Sequence, residues 1–200
     1  TEVQGAGTVR FDLDDDDDPG NAPPSASSVG AMATLGGGAP QTRLTVPVSA
    51  LSDGRYVAHA VYTAPQDFIR TAADSGLGSR PIRVRTTYTD LAQTDHPSAP
   101  RSLELHRVPV LFVHGMWGNS GTFEWPMLGD TRWIVGRADY RETNAMSFAE
   151  NAGMPPRVIA ELRRVVNDRG IAGTRFFVFG HSMGAVLFNQ GDGSDGLYVI

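Results

Sequence analysis

The chain has 200 residues, with 17 basic and 22 acidic side chains and a net charge of −5; without a basic cluster, this balance argues against nucleic-acid binding. Cysteine is absent, which excludes disulfides and thiolate metal sites, and nothing in the chain calls for a cofactor. No apolar run is long enough to span a membrane, so no transmembrane segment is expected.

The first hundred residues alternate. Val9, Phe11 and Leu13 recur at period two within Gly7 to Leu13, as do Leu44, Val46 and Val48 within Arg43 to Val48. Arg55 to Thr63 and Arg80 to Thr89 repeat the pattern, and Leu103 with Leu105 adds a further candidate strand. Short alternating strands between Gly, Pro, Ser and Asp turns predict an antiparallel sandwich. Two low-complexity stretches interrupt it. The acidic run Asp14–Asp18 reads as a solvated hairpin tip, because the glycine and distal glutamate of a calcium loop are missing. Residues Asn21 to Pro40, rich in Gly, Ala, Ser and Pro, read as a mobile surface loop. The stretch from Ser52-Asp53-Gly54-Arg55-Tyr56 through Tyr62-Thr63-Ala64-Pro65 is similar to the late strands of bacterial immunoglobulin-like modules. The prolines of Asp95-His96-Pro97-Ser98-Ala99-Pro100 mark a boundary, dividing the chain into a β module at 1–100 and a second domain at 101–200.

The second half changes period. Pro109 to Val113 is an unbroken apolar run, the pattern of a fully buried strand, and it enters His114-Gly115-Met116-Trp117-Gly118-Asn119. Trp133-Ile134-Val135 predicts a second strand. Pro155 and Pro156 suit a helix's first turn, Val158, Ile159, Leu162, Val165 and Val166 form one apolar stripe, and Gly170 caps the end. Phe176 to Phe179 is another buried strand and leads directly into Gly180-His181-Ser182-Met183-Gly184. The chain closes on Leu197-Tyr198-Val199-Ile200, which reads as the start of one more.

The pentapeptide is the G-x-S-x-G pattern of a nucleophile elbow. A strand that turns sharply into a helix tolerates no bulk at Gly180 or Gly184, and the turn exposes the serine oxygen. The bland alternative is an ordinary glycine-rich turn. Acyl transfer also needs backbone N–H groups aimed at the developing oxyanion; by position these are Met183, after the serine, and Met116, just past His114-Gly115. His114 reads as a neutral brace of its loop, and His181 as packing beside the elbow. Met116, Trp117, Phe123 and Trp125 either line an acyl pocket or pack the loop.

VPVLFVHGMWGN, DTRWIVGRADY, TNAMSFAENA and TRFFVFGHSMGA together resemble bacterial lipases and esterases of the α/β-hydrolase superfamily, particularly the secreted triacylglycerol-lipase and GPI inositol-deacylase-like group. The resemblance implies an α/β class, with a partial α/β-hydrolase parallel sheet and flanking helices behind the sandwich-like domain. It also implies Ser182 as nucleophile, Met116 and Met183 as oxyanion donors, a lipid or other acyl ester as substrate, and an extracellular or cell-surface bacterial location. The triad acid and histidine of that superfamily follow the serine in the chain. Here all five histidines, His59, His96, His106, His114 and His181, lie at or before position 181, and Asp192 and Asp195 sit in a turn-forming loop. The chain therefore reads as an incomplete fragment with little or no activity of its own. A non-catalytic binding or adhesion protein with a degenerate hydrolase half, and an acyltransferase or thioesterase, are the competing expectations.

Overall fold

The computed structural model describes residues 1–15, 24–122, 129–151, 153, 160, 163–164, 166–173, 175–189 and 198–199. The chain divides into two compact units, Thr1–Leu105 and His106–Ile200.

The first unit is built from β1 (Glu2–Val3), β2 (Gly7–Asp14), β3 (Ala31–Ala33), β4 (Arg43–Pro47), β5 (Ser49–Ala50), β6 (Tyr56–Val57), β7 (Val61–Thr63), β8 (Ser79–Asp90), β9 (Asp95–Pro97) and β10 (Arg101–His106). Its largest sheet runs β10-β8-β2-β4, with β9 also on β8. Residues directly opposite across an antiparallel ladder share a face, so the pairs Val9↔Tyr88, Val9↔Val46, Phe11↔Thr86, Phe11↔Leu44 and Leu13↔Val84 point the same way. That face meets Val29, Met32, Ala58 and Ile82 in one core. Smaller sheets, β1-β6-β5 and β3-β7, complete the unit.

Three sequence expectations change here. Arg55 to Thr63 is two strands in two sheets, because Ala58 between them is buried and its backbone exchanges hydrogen bonds of 2.8 and 2.9 Å with Thr1. The supposed mobile loop contains a helical turn, Ala26–Val29, capped by the Ser25 hydroxyl, followed by β3 with Ala31 and Met32 buried. Its small residues serve close packing: a Cβ at Gly30 would lie 2.3 Å from the Thr63 carbonyl oxygen. The described part of the acidic run is ion-paired rather than solvated. Asp14 meets Arg85 at 2.8 Å, and Asp15 meets Arg70 at 3.2 Å. Arg70 also grips the buried Asp74 with both ends of its guanidinium, at 2.9 and 3.0 Å. Those bonds outweigh burial and hold the Asp74 carboxyl far below the usual carboxylate range. Arg80, fully buried beside them, donates to the Phe68 and Ser28 carbonyls. Asp16–Asp18 lie outside the described residues.

The second unit carries β11 (Val110–Val113), β12 (Val135–Ala138), β13 (Phe177–Gly180) and β14 (Tyr198–Val199), in the order β12-β11-β13-β14, with every pair parallel. Leu111, Val113, Ala138, Tyr140, Phe176, Val178, Met183 and Leu187 form its core. The second strand starts two residues later than expected. The Ile134 carbonyl accepts from Val110, and Trp133 is occupied under the Arg107 guanidinium, 4.9 Å from its ring centre. Of the predicted helix, Ala160, Arg163, Arg164 and Val166–Asp168 are helical, Val166 is fully buried, and Gly170 at φ +74° ends it. Pro155, Pro156, Val158, Ile159, Leu162 and Val165 lie outside the described residues.

The expected fold class is corrected. The described chain is mostly β, with antiparallel sheets, rather than an α/β-hydrolase parallel sheet with flanking helices. Among the described residues parallel pairing is confined to the four short strands of the second unit, and the two helices of that unit described end to end, Phe148–Asn151 and Met183–Asn189, span one and two turns. Most of the regular structure instead comes from the period-two segments before position 107, whose one-sided apolar faces are satisfied by antiparallel ladders. Among the described residues no helix is long and apolar enough to cross a membrane.

Candidate active site

Ser182 lies at the turn between β13 and the helix Met183–Asn189, exposed, at φ +55°. A left-handed conformation is uncommon for a residue with a side chain, and it is kept only where its surroundings over-determine it. Three glycines do this. A Cβ at Gly180 would lie 2.5 Å from the Cα of Ala185, so the strand's last residue touches the helix backbone. At Gly184 it would lie 2.5 Å from the carbonyl oxygens of both Val113 and His114, so the helix rests on the end of β11. At Gly115 it would lie 2.7 Å from the Cβ of Ser182 and 2.8 Å from the His181 carbonyl oxygen. The loop after β11 and the serine turn therefore meet without side chains between them. His181 N–H donates to the Val113 carbonyl at 3.0 Å, while its ring lies against Gly115.

Among the described residues, no acceptor meets the backbone N–H of Met116 or of Met183. Met183 is the first residue of its helix, whose leading N–H groups lack intrahelical partners. The loop carrying Met116 is fixed from below. His114 is fully buried, its Nδ1 is 3.0 Å from the Gly115 carbonyl oxygen, and its Nε2 accepts from the Tyr140 N–H at 3.2 Å. These roles require a neutral ring with its proton on Nδ1. The Tyr140 ring stacks on the imidazole at 4.1 Å and its hydroxyl donates to the His114 carbonyl.

Further bonds hold the loop along its length. Buried Asn144 donates from Nδ2 to the Gly118 carbonyl at 2.6 Å, and Ser120 donates to Asp139 at 3.0 Å. Burial acts against ionisation of Asp139, but hydrogen bonds from Arg141 and Ser120 and the Arg141 charge outweigh it, so its carboxyl sits below the ordinary value. Asn151, also buried, donates to the Thr143 and Ser147 carbonyls. Ser147 and Glu150 form a capping box over the helix Phe148–Asn151: the Ser147 N–H and hydroxyl reach Glu150 at 2.9 and 2.7 Å, and the Glu150 N–H returns to Ser147. Trp117, at φ +63°, stands 79% exposed, and Met116 49%.

The structure thus brings together Gly115, Gly180, His181, Ser182 and Gly184 by direct approach and places His114 beneath them. Phe123, Trp125, Asp192 and Asp195 lie outside the described residues. Reading the motifs alone misses Asp139, Tyr140, Asn144 and Asn151, which lie in the stretches RADY and TNAMSFAENA without any catalytic spacing to announce them. Among the described residues no group of three His, Asp or Glu side chains is arranged to hold a metal ion. No family model matches the chain, and no characterised protein or solved structure matches it.

Proposed function

We propose that the second unit carries the nucleophile and oxyanion site of a serine ester hydrolase acting on a lipid or other apolar acyl ester. Ser182 Oγ attacks the ester carbonyl, its proton passes to a base, and the oxyanion accepts from the Met116 and Met183 N–H groups. Collapse releases the alcohol and leaves an acyl-serine; water then cleaves it to the acid and frees Ser182. An alcohol or thiol in place of that water would make the same site a transferase, and analysis of the products separates the two. Exposed Met116 and Trp117, which follow the Gly115 that meets the serine, favour an apolar acyl group.

The observation that carries this reading is the exposed serine at φ +55° with Gly115 against its Cβ, while the backbone N–H groups of Met116, next after Gly115, and Met183, next after the serine, meet no described acceptor. Neither histidine beside the turn is placed as the base. His114 has its Nδ1 on the Gly115 carbonyl and its Nε2 on the Tyr140 N–H, and the His181 ring lies against Gly115. The test therefore reads the nucleophile directly. Full-length protein treated with a fluorophosphonate is expected to carry one adduct, located at Ser182 by peptide mass spectrometry and absent from Ser182→Ala. No adduct, or one that persists in Ser182→Ala, contradicts the reading.

A further inference from the structure

The inward face of β8 changes character along its length. Ile82 belongs to the core and Val84 and Tyr88 pack against it, but Thr86, on the same face opposite Phe11, and the Tyr88 hydroxyl bring polar groups to that face. Polar groups on a core-facing surface call for a reason. They line a cavity of about 220 Å³ between β8–β9 and the amino-terminal segment, together with Thr1, Glu2, Val3, Gln4, His96 and Ser98. On the order of seven waters would fill it at ~30 Å³ each, which is room for one small ring.

The cavity is built rather than incidental. His96 lies directly across the ladder from Tyr88, and their rings stack at 5.6 Å. His96 Nε2 is 2.9 Å from Asp90 Oδ2, and the Tyr88 hydroxyl donates to the Ala6 carbonyl at 2.8 Å. The Thr86 and Ser98 hydroxyls bond to each other, and Ser98 also reaches the Thr86 carbonyl at 3.2 Å. Gly7 allows the close approach: a Cβ there would lie 2.9 Å from the Tyr88 ring.

The lining selects a ligand class. The charged groups of the lining are already engaged: the Thr1 ammonium donates to the Ala58 carbonyl at 2.9 Å, Glu2 lies 3.8 Å from Arg55, and His96 is bonded to Asp90. What remains is the Gln4 amide, which donates and accepts, the spare acceptor capacity of the Thr86 and Ser98 hydroxyls, and an apolar wall of Val3 beside the Tyr–His pair. That combination complements a ring bearing hydroxyls on one set of edges and C–H groups on its faces. We propose that this cavity of the first unit binds a single neutral sugar ring, independently of the serine site.

The test is an ¹⁵N-resolved NMR titration of the whole chain with glucose, galactose, mannose and N-acetylglucosamine, with inorganic phosphate as the charged control. At least one sugar is expected to give saturable shifts at Gln4, Thr86, Tyr88, His96 and Ser98, and phosphate none. Thr86→Val, which exchanges a hydroxyl for a methyl, and Gln4→Ala, on the exposed segment, are each expected to weaken binding at least tenfold with an unchanged melting temperature. Gln4→Ala keeps the test open if Thr86→Val unfolds. The proposal is overturned if no sugar shifts these residues, if phosphate does, or if binding survives in the folded variants.

Discussion

The charged corner of the first unit and the serine turn of the second hold unfavourable local arrangements by opposite means. Around Asp74, order comes from side chains: a buried carboxylate is tolerated because Arg70 grips both of its oxygens, and buried Arg80 is tolerated because the Phe68 and Ser28 carbonyls accept from it. Around Ser182, order comes from side chains that are missing. Gly115, Gly180 and Gly184 let three backbone segments meet at distances no Cβ permits, and that contact keeps a serine at positive φ. The first arrangement is sensitive to charge and hence to pH, whereas the second is sensitive to a single added methyl group.

The comparison breaks most severely at Arg70. Arg70→Met leaves the buried Asp74 carboxylate without its partner and is expected to destabilise the first unit by roughly 3–5 kcal/mol in urea unfolding, while the second unit's transition stays put. Gly184→Ala is expected to do the reverse, costing the second unit about 2–3 kcal/mol because the new methyl meets the backbone carbonyls of Val113 and His114 rather than a side chain that can turn away. Acid sharpens the contrast. The Asp74 carboxyl is held below its ordinary value, so its stabilisation is complete above the unfolded value of about 3.9 and is lost as pH falls through the depressed folded value. The melting temperature of the first unit should therefore drop below about pH 4, and Asp74→Asn should flatten that dependence. The smallest expected effect is at the capping box, where Ser147→Ala should cost about 1 kcal/mol by denaturant titration.

What was legible in the sequence follows the same division. Period-two segments announced β2, β4 and β8 because one face of each is buried against a shared core and the other is not. The serine turn was legible because its geometry demands glycine, and glycine at fixed spacing is visible in a sequence. The class of the whole chain was not. The run of strand and helix signals after position 108 points to a partial α/β-hydrolase sheet with flanking helices, whereas most of the regular structure lies in the alternating half. Nor was the pairing of Asp14 and Asp15 visible, because Arg85 and Arg70 are 71 and 55 residues away in the chain. The support of His114 by Tyr140 was hidden in the same way, since stacking and a backbone acceptor leave no spacing rule.

The central claim is that backbone contact at Gly115 sets the reactivity of Ser182, and the rate of fluorophosphonate labelling at Ser182 in the parent and in Gly115→Ala tests it most directly. A methyl 2.7 Å from the Ser182 Cβ must displace either the serine or the loop carrying the Met116 N–H. Loss of an oxyanion donor costs on the order of a hundredfold in rate. The account predicts a fall of about that size, measured at a temperature where both proteins are folded; equal labelling rates in two folded proteins would contradict it.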